Sequence, residues 1–408
     1  MNPKLADNNL SSPEAARLFR VQAQPKRILL VGNYPADRQY SMLRYAHWLR
    51  DMLKGRGWEV EIVYPRIRLG RLAGSSSALR KWLGYFDKFL IFPPRLLYAS
   101  RAFDLVHICD HSNAPYELVV SSKRLIITCH DLIAVKAAVG VSEGPRTRWS
   151  GRILQNWILR SLKRIRTICC VSAATADDVA RLVGSAGREI RHIPNSVSLS
   201  PMAPEAAASL LKGAGLAGNM PFILHVGGNA WYKNRRGVVQ IFRHLACRPA
   251  LRDFSLIFAG AALEPELLRE IEGSSVADRV FRIADPSDEL LRALYSNAEA
   301  LLFPSLEEGF GWPIVEAQAC GCPVITSRRE PMMTVGGAAA LYIDPLAPED
   351  AAEQIARDWE WIRAQRAASI KNTARFGERE VANKYLDLYN FALNSQASRP
   401  VADGTQQG

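Results

Sequence analysis

The sequence predicts an α/β protein made of two doubly wound, Rossmann-like domains that face each other across a cleft. Short apolar segments recur along both halves of the chain and alternate with segments of helical apolar spacing, which is the pattern of parallel sheets covered by helices. The 408 residues suffice for two such domains, and a Pro-, Ala- and Gly-rich linker at 201–218 separates the two series. Because open α/β sheets bind ligands at the carboxyl ends of their strands, we expect functional residues to follow strands and line the cleft.

The first domain is predicted at 26–200, after a disordered tail at 1–25. A strand at Arg27–Gly32, an amphipathic helix at Tyr40–Gly55 and a strand at Trp58–Tyr64 form an opening βαβ unit. The later strands are predicted at Phe103–Ile108, Leu125–Thr128, Thr167–Val171 and Ile190–Pro194.

The second domain is predicted at 219–377 and repeats this order. Its strands are predicted at Phe222–Val226, Leu256–Ala259, Val280–Ile283, Ala300–Phe303 and Val324–Thr326. Helices are predicted at Ala351–Arg363 and Glu378–Phe391, and a second disordered tail is predicted at 394–408.

The stretch that organises the chain runs from Phe303 to Thr326 and has the pattern of a strand end, a glycine loop, a helix and another strand. The loop Gly309–Phe310–Gly311 permits a close approach of the backbone to a ligand. The helix start that follows offers unpaired N–H groups and a positive dipole end, which favour an anion. Glu308 and Glu316 bracket this loop, and we expect them to contact neutral hydroxyls beside the anion. A sugar joined to a diphosphate and a ribose supplies that pattern.

The same stretch resembles the signature of the retaining glycosyltransferases of family 4, in which two Glu residues are separated by seven residues. Glu308 and Glu316 have this spacing. The other residues in frame are Pro304, Ser305, Gly309, Phe310, Gly311, Pro313, Ala317, Ala319, Gly321, Pro323 and Val324. The resemblance extends from Arg27 to about Asn390 and implies the GT-B fold, a nucleotide-sugar donor and transfer with retention of configuration.

The resemblance also implies roles for residues outside the signature. Lys233 matches a lysine that binds the donor diphosphate, from a glycine loop that here contains Gly228 and Asn229. His130 directly follows a predicted strand and matches a histidine that lies near the donor sugar. With these two residues, Glu308 forms the predicted catalytic set.

Within the signature, Glu308 is expected to orient the transferred sugar and Glu316 to hold the ribose. Gly309, Phe310 and Gly311 are expected to contact the donor. A glycosidase-like pair of carboxylates, one acid and one nucleophile, is the alternative. We disfavour it because a diphosphate leaves without strong acid catalysis.

The sequence departs from the family pattern at two places. Many members carry an Arg shortly before the lysine, where this chain has Asn229 and Tyr232, so that Arg235 or Arg236 is the candidate for a second cation. The loop after the first strand, 32–39, lacks the glycine pair that members often have. The identity of the acceptor is therefore not carried over from the family.

These observations predict a hexosyltransferase that moves a sugar to a glycan or lipid-linked acceptor in surface polysaccharide biosynthesis. No cofactor and no metal are expected, because closely spaced acidic residues such as Asp177 and Asp178 fall in a predicted helix, and Cys320 and Cys322 lack a histidine partner. The alternatives are a nucleotide-sugar epimerase of the same fold and a non-catalytic protein that binds sugar nucleotides.

The net charge of +12 is concentrated in the first half of the chain. Residues 1–200 hold 31 Lys and Arg against 15 Asp and Glu, whereas the remainder is slightly acidic. This asymmetry predicts an acidic partner, and an anionic membrane surface is the candidate that we prefer to nucleic acid, for which the sequence has no motif. No long apolar run and no paired cysteine spacing is present, so we predict a cytoplasmic protein, peripheral on the inner face of the plasma membrane.

Two basic segments leave their function open. Pro65–Arg101 interleaves basic and aromatic residues, as a helix at a membrane interface does, but ordinary helices with buried aromatics are the alternative. In Arg146–Arg166, the residues Ile153, Leu154, Trp157, Ile158 and Leu162 form one helical face, which is predicted to be core.

Overall fold

The computed structural model describes residues 25–37, 39–73, 77–142, 144–216 and 220–397. These residues form two separate six-stranded sheets, each with every strand parallel to its neighbours and covered by helices. The prediction of a two-domain α/β fold is therefore confirmed. The predicted tails lie outside the described residues at 1–24 and 398–408.

The first sheet has the strand order β2-β1-β3-β4-β5-β6. Its strands are β1 (Arg27–Val31), β2 (Glu59–Val63), β3 (Leu105–Ile108), β4 (Leu125–Cys129), β5 (Thr167–Cys170) and β6 (Glu189–His192). Its helices are α1 (Tyr40–Lys54), α2 (Ser77–Phe86), α3 (Phe92–Ser100), α4 (Ile133–Val139), α5 (Trp149–Leu162) and α6 (Ala173–Leu182). A wide helical turn at Asp87–Ile91 joins α2 to α3.

The second sheet has the strand order β12-β11-β10-β7-β8-β9. Its strands are β7 (Phe222–Gly227), β8 (Ser255–Gly260), β9 (Val280–Ala284), β10 (Ala300–Phe303), β11 (Val324–Ser327) and β12 (Ala340–Ile343). The remaining helices are α7 (Pro204–Gly213), α8 (Arg235–Leu245), α9 (Pro265–Glu272), α10 (Asp288–Asn297), α11 (Trp312–Ala319), α12 (Met332–Gly336), α13 (Pro348–Arg357), α14 (Trp359–Ala364), α15 (Arg366–Asn372) and α16 (Glu378–Ala397).

Each sheet has one point at which the direction of strand addition reverses. In the first sheet this point lies between β1 and β3, and in the second it lies between β7 and β10. The connections that leave the two strands at such a point run to opposite sides and open a crevice at the carboxyl edge. The loops that contain Lys233 and Glu308 follow β7 and β10, so both flank the crevice of the second sheet.

The structure differs from the sequence interpretation in the predicted linker. Residues 204–213 of this segment form α7, and its buried Ala207 and Leu211 belong to the same apolar cluster as Phe222 of β7. Pro and Ala suit the first turn and the interior of a helix, so their abundance here indicates helix rather than loose chain. The predicted helix at 351–363 is also divided, because α13 ends at Arg357 and α14 begins at Trp359.

The last helix, α16, packs on the sheet of the first domain. Its residues Val381, Tyr385 and Tyr389 are fully buried in a cluster with residues of β1, β3 and α1. It continues to Ala397, so residues 394–397 are helical rather than part of a tail. No helix in the described part of the chain has the length and apolarity that crossing a bilayer requires.

A buried polar network joins α16 to the sheet. His107 on β3 is 2.7 Å from the hydroxyl of Tyr389 through Nδ1 and 2.8 Å from the Oγ1 atom of Thr128 through Nε2. The hydroxyl of Tyr45 lies 2.7 Å from both Thr128 Oγ1 and the hydroxyl of Tyr385. Burial lowers the pKa of His107 to about 3, so the ring is neutral within this network.

We expect mild acid to destabilise the fold through this histidine. His107 stays neutral in the folded protein, whereas a histidine of the unfolded chain takes up a proton below about pH 6.5. Unfolding therefore binds a proton, and the free energy of unfolding falls as the pH drops from about 6.5, by up to about 1.4 kcal/mol per pH unit for one such group. Urea unfolding between pH 7 and 4.5 measures the slope.

His107→Gln is expected to reduce this slope because the new side chain does not titrate. Tyr389→Phe is the matched control: it removes one hydrogen-bond partner and keeps the ring, so it should lower stability at every pH and retain the slope. An unchanged slope in His107→Gln would show that other groups cause the acid sensitivity.

Candidate active site

Two loops meet at the crevice of the second sheet and are tied to each other by hydrogen bonds. The backbone N–H of Leu306 donates to the carbonyl of Tyr232 at 2.7 Å. Asn234, in a left-handed conformation with φ of 53°, donates from Nδ2 to the carbonyl of Pro304 at 3.1 Å. Together these bonds fix the loop after β7 against the loop after β10. Asn234 directly follows Lys233, but its contacts with the other loop could not be predicted, because its partners are distant along the chain.

Lys233 and Glu308 are brought into direct contact by these loops. The Nζ atom of Lys233 lies 2.7 Å from Oε1 of Glu308, and both side chains are largely buried, at 17% and 8% exposed. The ammonium also lies 5.1 Å from the ring centroid of Phe303. A cation and a carboxylate are thus held side by side in a shielded position, where their interactions are stronger than at the surface.

The helix start beside this pair has the geometry predicted for it. Gly311 has a φ of 98°, which a residue with a side chain rarely adopts, and α11 begins at the next residue with a proline in its first turn. The start of α11 carries the positive end of the helix dipole; Pro313 has no N–H, and the N–H of Ile314 already donates to the carbonyl of Gly311 at 2.9 Å. Phe310 differs from its predicted role, because its side chain is buried in the core against Trp312 and Phe376. Only its backbone is left for a ligand.

Glu316 is engaged through both carboxylate oxygens. Its Oε1 atom lies 2.6 Å from Nη2 of Arg44, on α1 of the other domain, and its Oε2 atom accepts a hydrogen bond of 3.0 Å from the hydroxyl of Tyr295. The guanidinium of Arg44 also covers the ring of Trp312, 4.7 Å from its centroid. A hydroxyl ligand of Glu316 would therefore share the carboxylate with Arg44 or replace it. Sequence reasoning missed Arg44, because it is far from the signature in the chain, and Tyr295, whose contact with Glu316 depends on how α10 packs beside α11.

His130 faces the loop after β10 from the first domain. A Cβ atom at position 309 would overlap the carbonyl oxygen of His130, so only glycine permits this approach. The hydroxyl of Thr175 donates to the carbonyl of Gly309 at 3.2 Å and fixes the same contact. The structure therefore brings together three of the predicted residues, Glu308, Lys233 and His130, on the two sides of one crevice.

The imidazole of His130 is oriented by its own domain. Its Nε2 atom donates to the carbonyl of Cys109 at 2.9 Å, and its ring meets Tyr45 edge-on with centroids 4.8 Å apart. Burial lowers the pKa of His130, so the ring is neutral and Nδ1 is an acceptor. A neutral imidazole with a fixed acceptor nitrogen suits a hydroxyl group of a ligand.

A second domain contact runs beside the site. Lys136 on α4 forms an ion pair with Glu307 and a second one of 2.7 Å with Asp178 on α6. Glu307 directly precedes Glu308, so this bridge anchors the loop after β10 to the first domain. Burial and its two carboxylate partners act on Lys136 in opposite directions, and the carboxylates prevail and raise its pKa.

The loops after β1 and β3 form a polar cluster at the crevice of the first sheet. Asp110 accepts hydrogen bonds from Nδ2 of Asn33 at 2.6 Å and from the hydroxyl of Ser112 at 2.5 Å, and it lies 3.1 Å from Nδ1 of His111. The Asp110 carboxylate opposes burial and raises the pKa of His111. The atypical first loop is thus bound to the end of β3.

The candidates for a second cation do not supply one. Arg235 is buried, and its guanidinium donates to the carbonyls of Gly227 and Ala261 at 2.9 and 2.8 Å and to the amide of Asn229. Arg236 points to the surface and pairs with Glu270 at 2.7 Å. The suggestion that either residue replaces the missing arginine is therefore wrong. Arg235 instead shapes the loop that contains Gly228 and Asn229.

Two family models match the chain and together span most of it. "Glycosyltransferase Family 4" matches residues 42–200, and "Glycosyl transferases group 1" matches residues 210–375. The boundary between them coincides with the passage from the first sheet to the second.

Curated relatives match at moderate identity. A D-inositol 3-phosphate glycosyltransferase of Xylanimonas cellulosilytica is 28% identical over 67% of this chain and 68% of its own length. The O-antigen chain mannosyltransferase B of Escherichia coli is 28% identical over 63% of this chain and 66% of its own length. The matches therefore cover about two thirds of each relative.

Solved structures share the fold over nearly the whole chain. Sucrose-phosphate synthase from Thermosynechococcus elongatus superposes with a TM-score of 0.70 at 20% identity, covering 91% of this chain and all of that one. HepE of Anabaena, in complex with UDP and glucose, superposes with a TM-score of 0.65 at 17% identity, covering 90% of this chain and all of that one. The predicted GT-B fold is confirmed by these likenesses.

We predict that Arg235 stabilises the second domain far more than its neighbour does. Arg235→Ala removes a buried guanidinium together with its hydrogen bonds to the carbonyls of Gly227 and Ala261, and should lower the free energy of unfolding by about 2–4 kcal/mol. Arg236→Ala, which removes an exposed ion pair, should change it by less than about 1 kcal/mol. Chemical denaturation of the two variants decides the matter, and equal effects would contradict the structural role of Arg235.

Proposed function

Given that the chain belongs to glycosyltransferase family 4, we propose that it transfers a sugar, with retention of configuration, from a nucleotide-sugar donor to a glycan or lipid-linked acceptor in surface polysaccharide biosynthesis. One observation carries this proposal: Lys233, Glu308 and the start of α11 converge at one crevice, with His130 facing them from the other domain. A phosphate and a polyhydroxyl group side by side would use every one of these groups.

The donor diphosphate is assigned to Lys233 and the start of α11. The C1–oxygen bond of the donor breaks during transfer, and its electron pair goes to the diphosphate, which gains negative charge. A fixed ammonium and aligned N–H groups in a shielded crevice stabilise that charge by several kcal/mol. In this proposal Lys233 turns from Glu308 to the diphosphate, and this movement frees the carboxylate for the sugar.

The transferred sugar is assigned to Glu308 and His130. Glu308 accepts hydrogen bonds from sugar hydroxyls, and the neutral His130 offers Nδ1 as a further acceptor. The acceptor hydroxyl forms the new bond at C1 on the face that the diphosphate leaves, and its proton passes to the departing diphosphate. No protein carboxylate has to act as an acid in this route.

The ribose is assigned to Glu316, with Arg44 as its partner across the domains. The Arg44–Glu316 contact joins α1 to α11 at the place where the ribose would lie. We infer that the ribose hydroxyls share Glu316 with Arg44 or displace it, so donor binding and the contact between the domains are coupled.

We further propose that the reaction needs no divalent metal and no cofactor. The charge of the leaving group is met by Lys233 and α11, and no group of three or more His, Cys, Asp or Glu residues in the described ranges is arranged to hold a metal ion. Transfer should therefore persist in excess chelator after the enzyme has been stripped. Activity that is lost and returns with magnesium or manganese would contradict this proposal.

The cellular setting is proposed from charge. The excess of basic residues in 1–200 supports a cytoplasmic enzyme that is peripheral on an anionic membrane, where lipid-linked acceptors are available. Such attraction is screened by salt. Co-sedimentation with anionic liposomes should fall as the salt concentration rises, and binding that is absent at low salt would contradict the setting.

Substitutions of the proposed donor-site residues should fall into two kinetic classes. Glu308→Gln and Lys233→Ala should lower kcat by about 100-fold or more, because each group acts on charge or geometry that develops in the transition state. Glu316→Gln should mainly raise the KM for the donor, by about 10-fold, because a ribose contact is present in ground and transition states alike. Steady-state transfer assays measure both constants.

Arg236→Ala is the matched control for Lys233→Ala, since it removes a nearby cation that points away from the crevice. Product analysis with a panel of nucleotide sugars, with and without lipid-linked acceptors, tests the function itself. Transfer to an acceptor supports it, whereas epimerised donor, or donor binding without any product, would establish one of the alternative functions instead.

A further inference from the structure

An apolar groove on the first domain has no part in the donor site. It encloses about 800 Å³ between α2, with the turn that follows it, and α5. Its lining includes aromatic and aliphatic side chains that are largely exposed: Trp82, Phe86, Leu90, Trp149 and Ile153 are 48–72% exposed. A contiguous concave apolar surface of this kind marks a binding site more often than a free surface. The face of α5 that contains Ile153 is predicted from the sequence to be core. In the structure, only Ile158 and Leu162 of that face are fully buried.

The walls of the groove are fixed by packing in the domain. Phe89 stacks near Trp157 with ring centroids 4.9 Å apart, which joins the turn after α2 to α5. The buried carboxylate of Asp87 accepts hydrogen bonds from the backbone N–H groups of Arg68, Leu69 and Gly70, and from the hydroxyl of Tyr34. The groove is therefore preformed, which reduces the entropic cost of binding a flexible chain.

The groove continues into a polar pocket that leads to the crevice. This pocket, of about 420 Å³, shares Lys81, Tyr85, Phe89 and Leu154 with the groove. Its far side is lined by Asn33, Ser112 and Asn113, which belong to the polar cluster around Asp110. That cluster adjoins Cys109, whose carbonyl orients His130. The apolar groove and the polar pocket thus adjoin each other, and the pocket lies next to the proposed transfer site.

Lys81 places positive charge where the groove and the pocket meet, whereas Arg148 lies in the groove only. Lys81 lines both the groove and the pocket, and Arg148 lines the groove, each with an exposed side chain. Lys88 lines the pocket but is already paired with Asp37 at 2.9 Å. From the groove to the pocket, the lining is therefore first apolar, then cationic and then polar. This order complements a hydrocarbon chain, a phosphate and a sugar.

We propose that this groove binds the hydrocarbon chain of a lipid-linked acceptor, with its phosphate against Lys81 and its sugar in the polar pocket. The inference deepens the proposed function, on which it rests, by choosing the lipid-linked over the free glycan acceptor. A flat membrane surface explains the basic and aromatic residues less well, because it would leave the concave shape of the groove and the wall that it shares with the pocket unused.

The test uses farnesyl phosphate below its aggregation concentration as the probe, with binding followed by tryptophan fluorescence and calorimetry. Ile153→Asp places a charge in the groove at a side chain that is 61% exposed, so the fold should be retained. It should weaken binding at least 10-fold. Tyr98→Asp, at a position that is 78% exposed and outside the groove, is the matched control and should bind as the wild type does.

Lys81→Glu should weaken the binding of farnesyl phosphate but not of farnesol, because only the former offers a phosphate. Equal binding of the probe to the wild type and Ile153→Asp would overturn the proposal. A loss of co-sedimentation with phosphatidylglycerol vesicles in Ile153→Asp, with probe binding intact, would also overturn it and identify a membrane-docking surface. UDP-sugar binding, measured in the same variants, should be unchanged, so a failure of the donor-site assignment is seen separately.

Discussion

The site depends on one contact between the domains, the approach of Gly309 to the carbonyl oxygen of His130. A side chain at position 309 would collide with that oxygen, so glycine is required for the two domains to close at this point. The contact is reinforced by the hydrogen bond from Thr175 and by the Lys136–Glu307 ion pair. Glu308 lies between Glu307 and Gly309, so its carboxylate, paired with Lys233, extends from a loop that is fixed to the first domain. Every assignment in the crevice follows from this closure.

The second constraint is electrostatic. Lys233 with Glu308, and Arg44 with Glu316, are cation–carboxylate pairs in partly buried positions. In each pair the cation and the carboxylate neutralise each other. A ligand with both a negative group and hydroxyls can replace this contact, because its negative group pairs with the cation and its hydroxyls donate to the carboxylate. A nucleotide sugar carries both kinds of group in one molecule. The arrangement thereby favours a ligand with the two chemistries adjacent over a simple anion or a neutral sugar alone.

Sequence reasoning could predict what local pattern determines. The parallel strands, the Glu308–Glu316 spacing, the helix start after Gly311 and the position of His130 after β4 are all local, and the structure brings these residues to one crevice. Arg44, and the contacts that Tyr295 and Asn234 make, could not be found in this way, because they depend on how separate elements pack. The prediction of a second cation failed for the same reason. Arg235 lies close to Lys233 in the sequence, but in the structure its buried guanidinium donates to backbone carbonyls.

The central claim is that the donor diphosphate lies between Lys233 and the start of α11. A crystal structure of the protein with the nucleotide sugar that it uses tests this claim most directly. We expect a diphosphate oxygen within hydrogen-bond distance of Lys233 Nζ, with Glu308 turned to the hydroxyls of the sugar. A diphosphate bound elsewhere, with the Lys233–Glu308 pair intact, would contradict it.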